Sequence, residues 1–216
     1  MRQYDLLMFD MDGTIIDSAR FHVLAYKRFF KTYNIPVQMH DTLEGLGNTI
    51  EEMFGVLGVP QEDREELYQK LEVFYKHEVD DLIRDIPLAD GTQEMLETMK
   101  QRGYCLSLVT NSLHPLAQRI MQLHGLTPYF ASIKGATPTE SGKENRCADA
   151  LRELCPSGNA LYVGDAARDV EIAKDLQCDS CLAVADISWM PDPLKVAQDY
   201  QPTFVIRSMR ELTHLL

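Results

Sequence analysis

The sequence contains a single tryptophan, and no run approaches the ~18 consecutive apolar residues of a membrane-spanning helix. Asp5 and Asp10 interrupt the apolar stretch near the start, so it does not read as a signal peptide, and we expect a soluble, cytoplasmic protein. Basic residues are scarce. Twenty-one Lys and Arg stand against 33 Asp and Glu, a net charge of −12, and they form no cluster. That excludes nucleic acid as the expected partner, because binding a phosphate backbone requires grouped cations. Cysteine is also sparse: five residues, at 105, 147, 155, 178 and 181, an odd number that fits reduced thiols better than a disulfide framework. Cys178-Asp179-Ser180-Cys181 is a C-x-x-C, but no second pair completes a zinc site, and Cys181 opens a strand-like run. These two cysteines are expected to be small packing residues.

At 216 residues, 45% of them hydrophobic, the chain is long enough for a core that needs no staples. Two rhythms divide it. Short apolar runs at Tyr4 to Phe9, Tyr104 to Val109, Ala131 to Ile133, Ala160 to Gly164, Cys181 to Val184 and Thr203 to Ile206 read as strands. Helical patterns of about ten residues separate the later runs: 91–102 with Asp90 as N-cap, 114–124 stopped by Gly125, a capping box at Ser141 to Glu144 opening a helix to Leu154, 166–176, and 209–215. Such alternation predicts parallel pairing in a doubly wound α/β sheet. Residues 18–88 show only helical periodicity: Ser18 to Tyr33, Thr49 to Leu57, and one long segment from Pro60 to Ile83. The expected division is therefore a core of 1–17 and 89–216, with 18–88 as an inserted helical unit near the ligand edge of the sheet.

The residues just past the strand ends carry the chemistry. The first strand runs into Asp10-Met11-Asp12-Gly13-Thr14, the next into Thr110-Asn111-Ser112, and a later one into Gly164-Asp165, with Asp169 four residues on. If the chain stays extended, Asp10 and Asp12 leave the same face. Carboxylates so close, joined by Asp165, repel one another unless a cation neutralises them, and Mg²⁺ suits hard oxygen ligands while leaving room for a phosphate. Gly13 lets the backbone turn away sharply. Thr110 and Asn111 can hydrogen-bond phosphate oxygens, and Lys143 adds a point charge. One carboxylate can then attack phosphorus while its neighbour handles protons; we assign attack to Asp10 and proton transfer to Asp12.

These four ordered motifs resemble the haloacid dehalogenase superfamily across the whole chain, most closely the phosphoglycolate phosphatase and β-phosphoglucomutase group. The insert resembles that superfamily's small α-helical cap. The resemblance implies a Mg²⁺-dependent aspartyl-phosphate mechanism acting on a small phosphorylated metabolite. Asp10 would be the nucleophile and Asp12 the acid/base. Asp10, the Asp12 carbonyl and Asp165 would hold the metal with Asp169 close by, and Thr110 and Lys143 would hold the phosphoryl group. The second Asp of the first motif favours phosphate esters over carbon–halogen bonds. Ile50 stands where the mutase cap carries an arginine, which favours hydrolysis, although His22 matches a histidine of the mutase.

The expected function is therefore a phosphomonoester hydrolase. The alternatives are a sugar-phosphate mutase and a phospho-accepting signalling module without turnover. A loop around Glu44 to Asn48 is expected to face the site. His22 reads as a hinge or packing residue, and Trp189 and Met190 as apolar packing.

Overall fold

The computed structural model describes residues 3–35, 50–137 and 142–216. Six strands form one sheet: β1 (Leu6–Phe9), β2 (Cys105–Leu113), β3 (Ser132–Ala136), β4 (Ala160–Gly164), β5 (Asp179–Ala183) and β6 (Phe204–Ile206). Every pairing is parallel, in the order β3-β2-β1-β4-β5-β6. The helices are α1 (Ala19–Thr32), α2 (Ile50–Val56), α3 (Gln61–His77), α4 (Asp80–Arg84), α5 (Thr92–Gln101), α6 (His114–Leu123), α7 (Gly142–Leu154), α8 (Ala167–Asp175), α9 (Pro193–Tyr200) and α10 (Met209–Leu215). Among the described residues no helix is long and apolar enough to cross a membrane.

β1 lies at the centre, and all four of its residues are wholly buried. The pleat sends Leu7 and Phe9 into a cluster with Met95, Leu96, Ile120 and Leu212, which come from α5, α6 and α10. Leu6 and Met8 enter a second cluster with Cys147, Ala150, Ile172 and Ala173 from α7 and α8. Helices therefore cover both faces, which is why the strands read as continuous apolar runs. The doubly wound α/β architecture is as the sequence predicts. The chain turns from β1 to β2 on one side and to β4 on the other, and ligand sites in such sheets lie at the carboxyl ends beside that reversal.

Several local expectations are corrected. β2 runs through Leu113 rather than stopping at Val109, so Thr110, Asn111 and Ser112 belong to the strand, where its register against β3 becomes irregular. Gly91, with a left-handed φ of 78°, occupies the N-cap position of α5, while Asp90 pairs with Arg210 instead. Pro60 precedes α3 as its N-cap. The segment to Ile83 breaks into α3 and α4, because the Arg28 guanidinium binds both the Glu78 carbonyl (2.7 Å) and the Asp81 carboxylate. Ser141 of the capping box and the loop 44–48 lie outside the described residues.

The chain leaves the sheet for α1–α4 and returns through two neighbouring segments. Ile16 bridges Leu88 antiparallel, Asp17 N–H donates to the Pro87 carbonyl (2.9 Å), and Ala89 N–H donates to that of Ile15 (2.9 Å). The helices between are held by aromatic packing: Phe29 meets Phe74 edge-on at 5.4 Å, and Tyr26 stacks on Phe30 at 6.1 Å. They also touch α6, where Arg119 pairs with Asp80 and the His124 ring meets the Ile83 carbonyl.

Candidate active site

β1, β2 and β4 deliver their carboxyl-end residues to one cavity of about 360 Å³. All seven residues singled out from the sequence, Asp10, Asp12, Thr110, Asn111, Lys143, Asp165 and Asp169, line it. Asp10 comes directly after β1 and is anchored by its own N–H on the Val163 carbonyl of β4 (2.8 Å). Lys143 rises from the first turn of α7, buried, with its ammonium 2.7 Å from Asp10 Oδ1 and 2.7 Å from Asp169 Oδ1. Asp169 also accepts from the Tyr162 hydroxyl (3.1 Å) and from the Ala166 N–H (3.0 Å), so it caps α8 as well as facing the cavity. Asp165 accepts from the Trp189 N–H (2.8 Å) and the Thr14 hydroxyl (3.4 Å).

Carboxylate oxygens of Asp10, Asp165 and Asp169 all lie within 4.8 Å of one another. Two unit charges at that distance repel by roughly 3–4 kcal/mol at an effective dielectric near 20. One ammonium, bound to Asp10 and Asp169, cannot balance three carboxylates. Burial pushes Asp10 well above the ordinary carboxylate range; Lys143 opposes this, and Asp169, Asp165 and Asp12 add to it. Burial and then Asp169 push Asp165 up to about 6. Burial alone would lower Lys143, but Asp10 and Asp169 outweigh it and hold the ammonium charged. A buried, oxygen-only, charge-deficient triad fits a hard divalent cation such as Mg²⁺.

Asp12 is arranged differently. β1 ends at Phe9, Asp10 and Asp12 both line the cavity, and Gly13 turns the chain after them with a φ of 71°. The Asp12 carboxylate accepts from Ser18 Oγ (2.6 Å) and Ser112 Oγ (2.7 Å), with the His22 Nε2 at 3.0 Å and Thr110 Oγ1 at 3.2 Å. Burial would raise its pKa, but His22, Ser18 and Ser112 outweigh it and hold the carboxyl at about 2. Asp12 is thus a fixed, ionised group beside the triad, and its carboxylate is not part of it. Asn111 faces the cavity while its carbonyl oxygen accepts from Arg146 (2.8 Å).

Residues 7–183 match the haloacid dehalogenase-like hydrolase family. The chain belongs to that family. Among its relatives is the pyrophosphatase PpaX of Bacillus velezensis, 25% identical over 97% of this chain and 94% of that protein. A phosphoglycolate phosphatase of Aquifex aeolicus is 28% identical over 83% of this chain and 84% of its own length. A haloacid dehalogenase-like hydrolase from Streptococcus pneumoniae superposes with a TM-score of 0.78 at 21% identity, covering 100% of this chain and 99% of that one. That last likeness extends the shared fold over the whole length.

This family member also uses residues that sequence reasoning missed. Ser18 reads as a helix start, yet it holds Asp12 together with Ser112, which stands beside Thr110 and Asn111 among the strand-end candidates. His22, expected to be a hinge or packing residue, reaches the same carboxylate. Trp189 and Met190, expected to be packing, line the cavity. The only sequence signal for Trp189 was its rarity.

Proposed function

We propose that this hydrolase is a Mg²⁺-dependent phosphatase that frees inorganic phosphate from a small phosphomonoester by way of a phosphoryl group carried on Asp10. The observation that supports it best is the convergence of Asp10, Asp165 and Asp169 around Lys143, with Asp12 held separately at the same cavity. Asp10, Asp165, Asp169 and the Asp12 carbonyl would hold Mg²⁺, which offsets the charge of carboxylates and phosphoryl oxygens together.

In the first step an Asp10 oxygen bonds to phosphorus as the ester P–O bond breaks, and Asp12, ionised in the free protein, passes the proton of the substrate's monoanionic phosphate to the departing oxygen. In the second, Asp12 takes a proton from water, whose oxygen bonds to phosphorus; the bond to Asp10 breaks and phosphate leaves. Thr110 and Lys143 orient the phosphoryl oxygens, and Asn111 borders them. Residues 18–88 act as a cap that shields this chemistry from bulk water, and 1–17 with 89–216 form the core beneath it. The relatives' activities, on pyrophosphate and phosphoglycolate, lie within the same phosphoryl-transfer chemistry.

Phosphate release from a panel of monoesters, with and without Mg²⁺, tests the proposal. Release that needs Mg²⁺ and disappears in Asp10→Asn supports it. Isomerisation of a hexose phosphate primed by a bisphosphate, without free phosphate, would identify a mutase instead.

A further inference from the structure

Besides its charged and polar side chains the cavity is lined by apolar and aromatic ones, among them Tyr26, Ile50, Tyr75, Leu116, Trp189 and Met190. The basic side chains that touch it, among the described residues, are all engaged. Lys143 binds Asp10 and Asp169, His22 faces Asp12, and Arg168 pairs with Glu144 and Glu171. Among the described residues, a carboxylate or second phosphate on the leaving group would therefore meet no arginine or lysine that is not already paired, which disfavours its burial there.

The aromatic residues adjoin the catalytic carboxylates. Trp189 is tied to Asp165 by its own N–H (2.8 Å), and its indole meets the His22 ring edge-on at 5.4 Å and 87°. The His22 ring lies 6.1 Å from that of Tyr26 and contacts Asp12, the residue that would protonate the departing oxygen. An aromatic run of Trp189, His22 and Tyr26 thus adjoins the Asp12 carboxylate at the cavity. Such a run favours a flat ring, through apolar burial and ring–ring contact.

We infer that the substrate is a phosphomonoester whose leaving alcohol is uncharged and bears a flat unsaturated ring, with Trp189 and Tyr26 as its specificity residues. This rests on the phosphatase reading above, and it narrows that reading away from phosphoglycolate and pyrophosphate.

Two measurements on the full chain test it. First, kcat/KM with Mg²⁺ is compared for benzyl phosphate, uridine 5′-monophosphate, glycerol 3-phosphate, phosphoglycolate and pyrophosphate. At least one ring ester should exceed the other three by tenfold or more, and Trp189→Ala should erase that preference. Second, Trp189 is the sole tryptophan, so its fluorescence reports occupancy of the Asp10→Asn protein; ring esters should bind at least tenfold more tightly than phosphoglycolate. Phosphate released equally well from phosphoglycolate, pyrophosphate or glycerol 3-phosphate overturns the substrate class and leaves the phosphatase standing. Tenfold selective binding of ring esters with no hydrolysis of any ester overturns the phosphatase reading and leaves the substrate class standing. Absence of selectivity in the fluorescence titration overturns the inference whatever the rates.

Discussion

The ammonium of Lys143 sits 2.7 Å from Asp10 Oδ1, and both side chains are almost fully buried. Neither charge has bulk water to screen it, so each depends on the other, with Asp169 as a second partner for the lysine. Removing one member of a buried pair strands the rest and costs about 3–5 kcal/mol. We expect Lys143→Met to lower metal-free stability by about 3 kcal/mol in urea unfolding and to cut phosphate release at least a hundredfold. Wild-type rates in that variant would remove Lys143 from the phosphoryl pocket.

Gly13 combines a left-handed φ of 71° with close approach to a carboxylate of the acidic triad: a Cβ there would lie 2.6 Å from Asp165 Oδ2. Gly13→Ala carries a backbone penalty of about 1 kcal/mol and must also displace Asp165. The expected result is a higher Mg²⁺ concentration for half-maximal activity, with only a modest fall in Tm. An unchanged Mg²⁺ requirement would show that Asp165 is free to move without consequence.

In the proposed mechanism Asp12 handles protons, so its loss should matter most when the leaving oxygen is basic. Aryl phosphates such as 4-nitrophenyl phosphate leave without a proton, and for them only the second step needs Asp12. In Asp12→Asn, stopped-flow absorbance should show a burst of about one nitrophenolate per enzyme, then turnover slowed by a factor on the order of 10²–10⁴. Equal slowing of burst and steady state would place Asp12 in both steps for this ester.

The crowded triad makes a thermodynamic prediction as well. A cation that binds only the folded protein raises stability by about 2.7 kcal/mol at a hundred times its Kd. Mg²⁺ should therefore raise the Tm of the wild type by several degrees, and by much less in Asp165→Asn. Equal shifts in both proteins would mean that the ion binds elsewhere.

Much of this molecule was legible in its sequence. β4 at Ala160–Gly164 and α10 at Met209–Leu215 begin and end where apolar patterning places them, because fully buried parallel strands must be apolar and short. Asp10 and Asp165 meet at the carboxyl ends of β1 and β4, and Lys143 and Asp169 join them from the first turns of α7 and α8. The break between α3 and α4 was not legible, since no glycine or proline marks it and Arg28, fifty residues upstream, captures the Glu78 carbonyl. Nor was the hold on Asp12. It depends on β2 continuing to Leu113, which carries Ser112 into reach, and on α1 presenting His22 four residues beyond Ser18. These are tertiary consequences that one-dimensional periodicity does not encode.

Transfer of the phosphoryl group to Asp10 itself is the step on which the proposed chemistry turns. Rapid acid quench of the Mg²⁺-loaded protein turning over a ³²P-labelled monoester, with peptide mapping of the quenched chain, addresses it directly. Label on the peptide that contains Asp10, absent in Asp10→Asn, is the predicted result. Steady phosphate release with label on another residue, or with none during turnover, would contradict it.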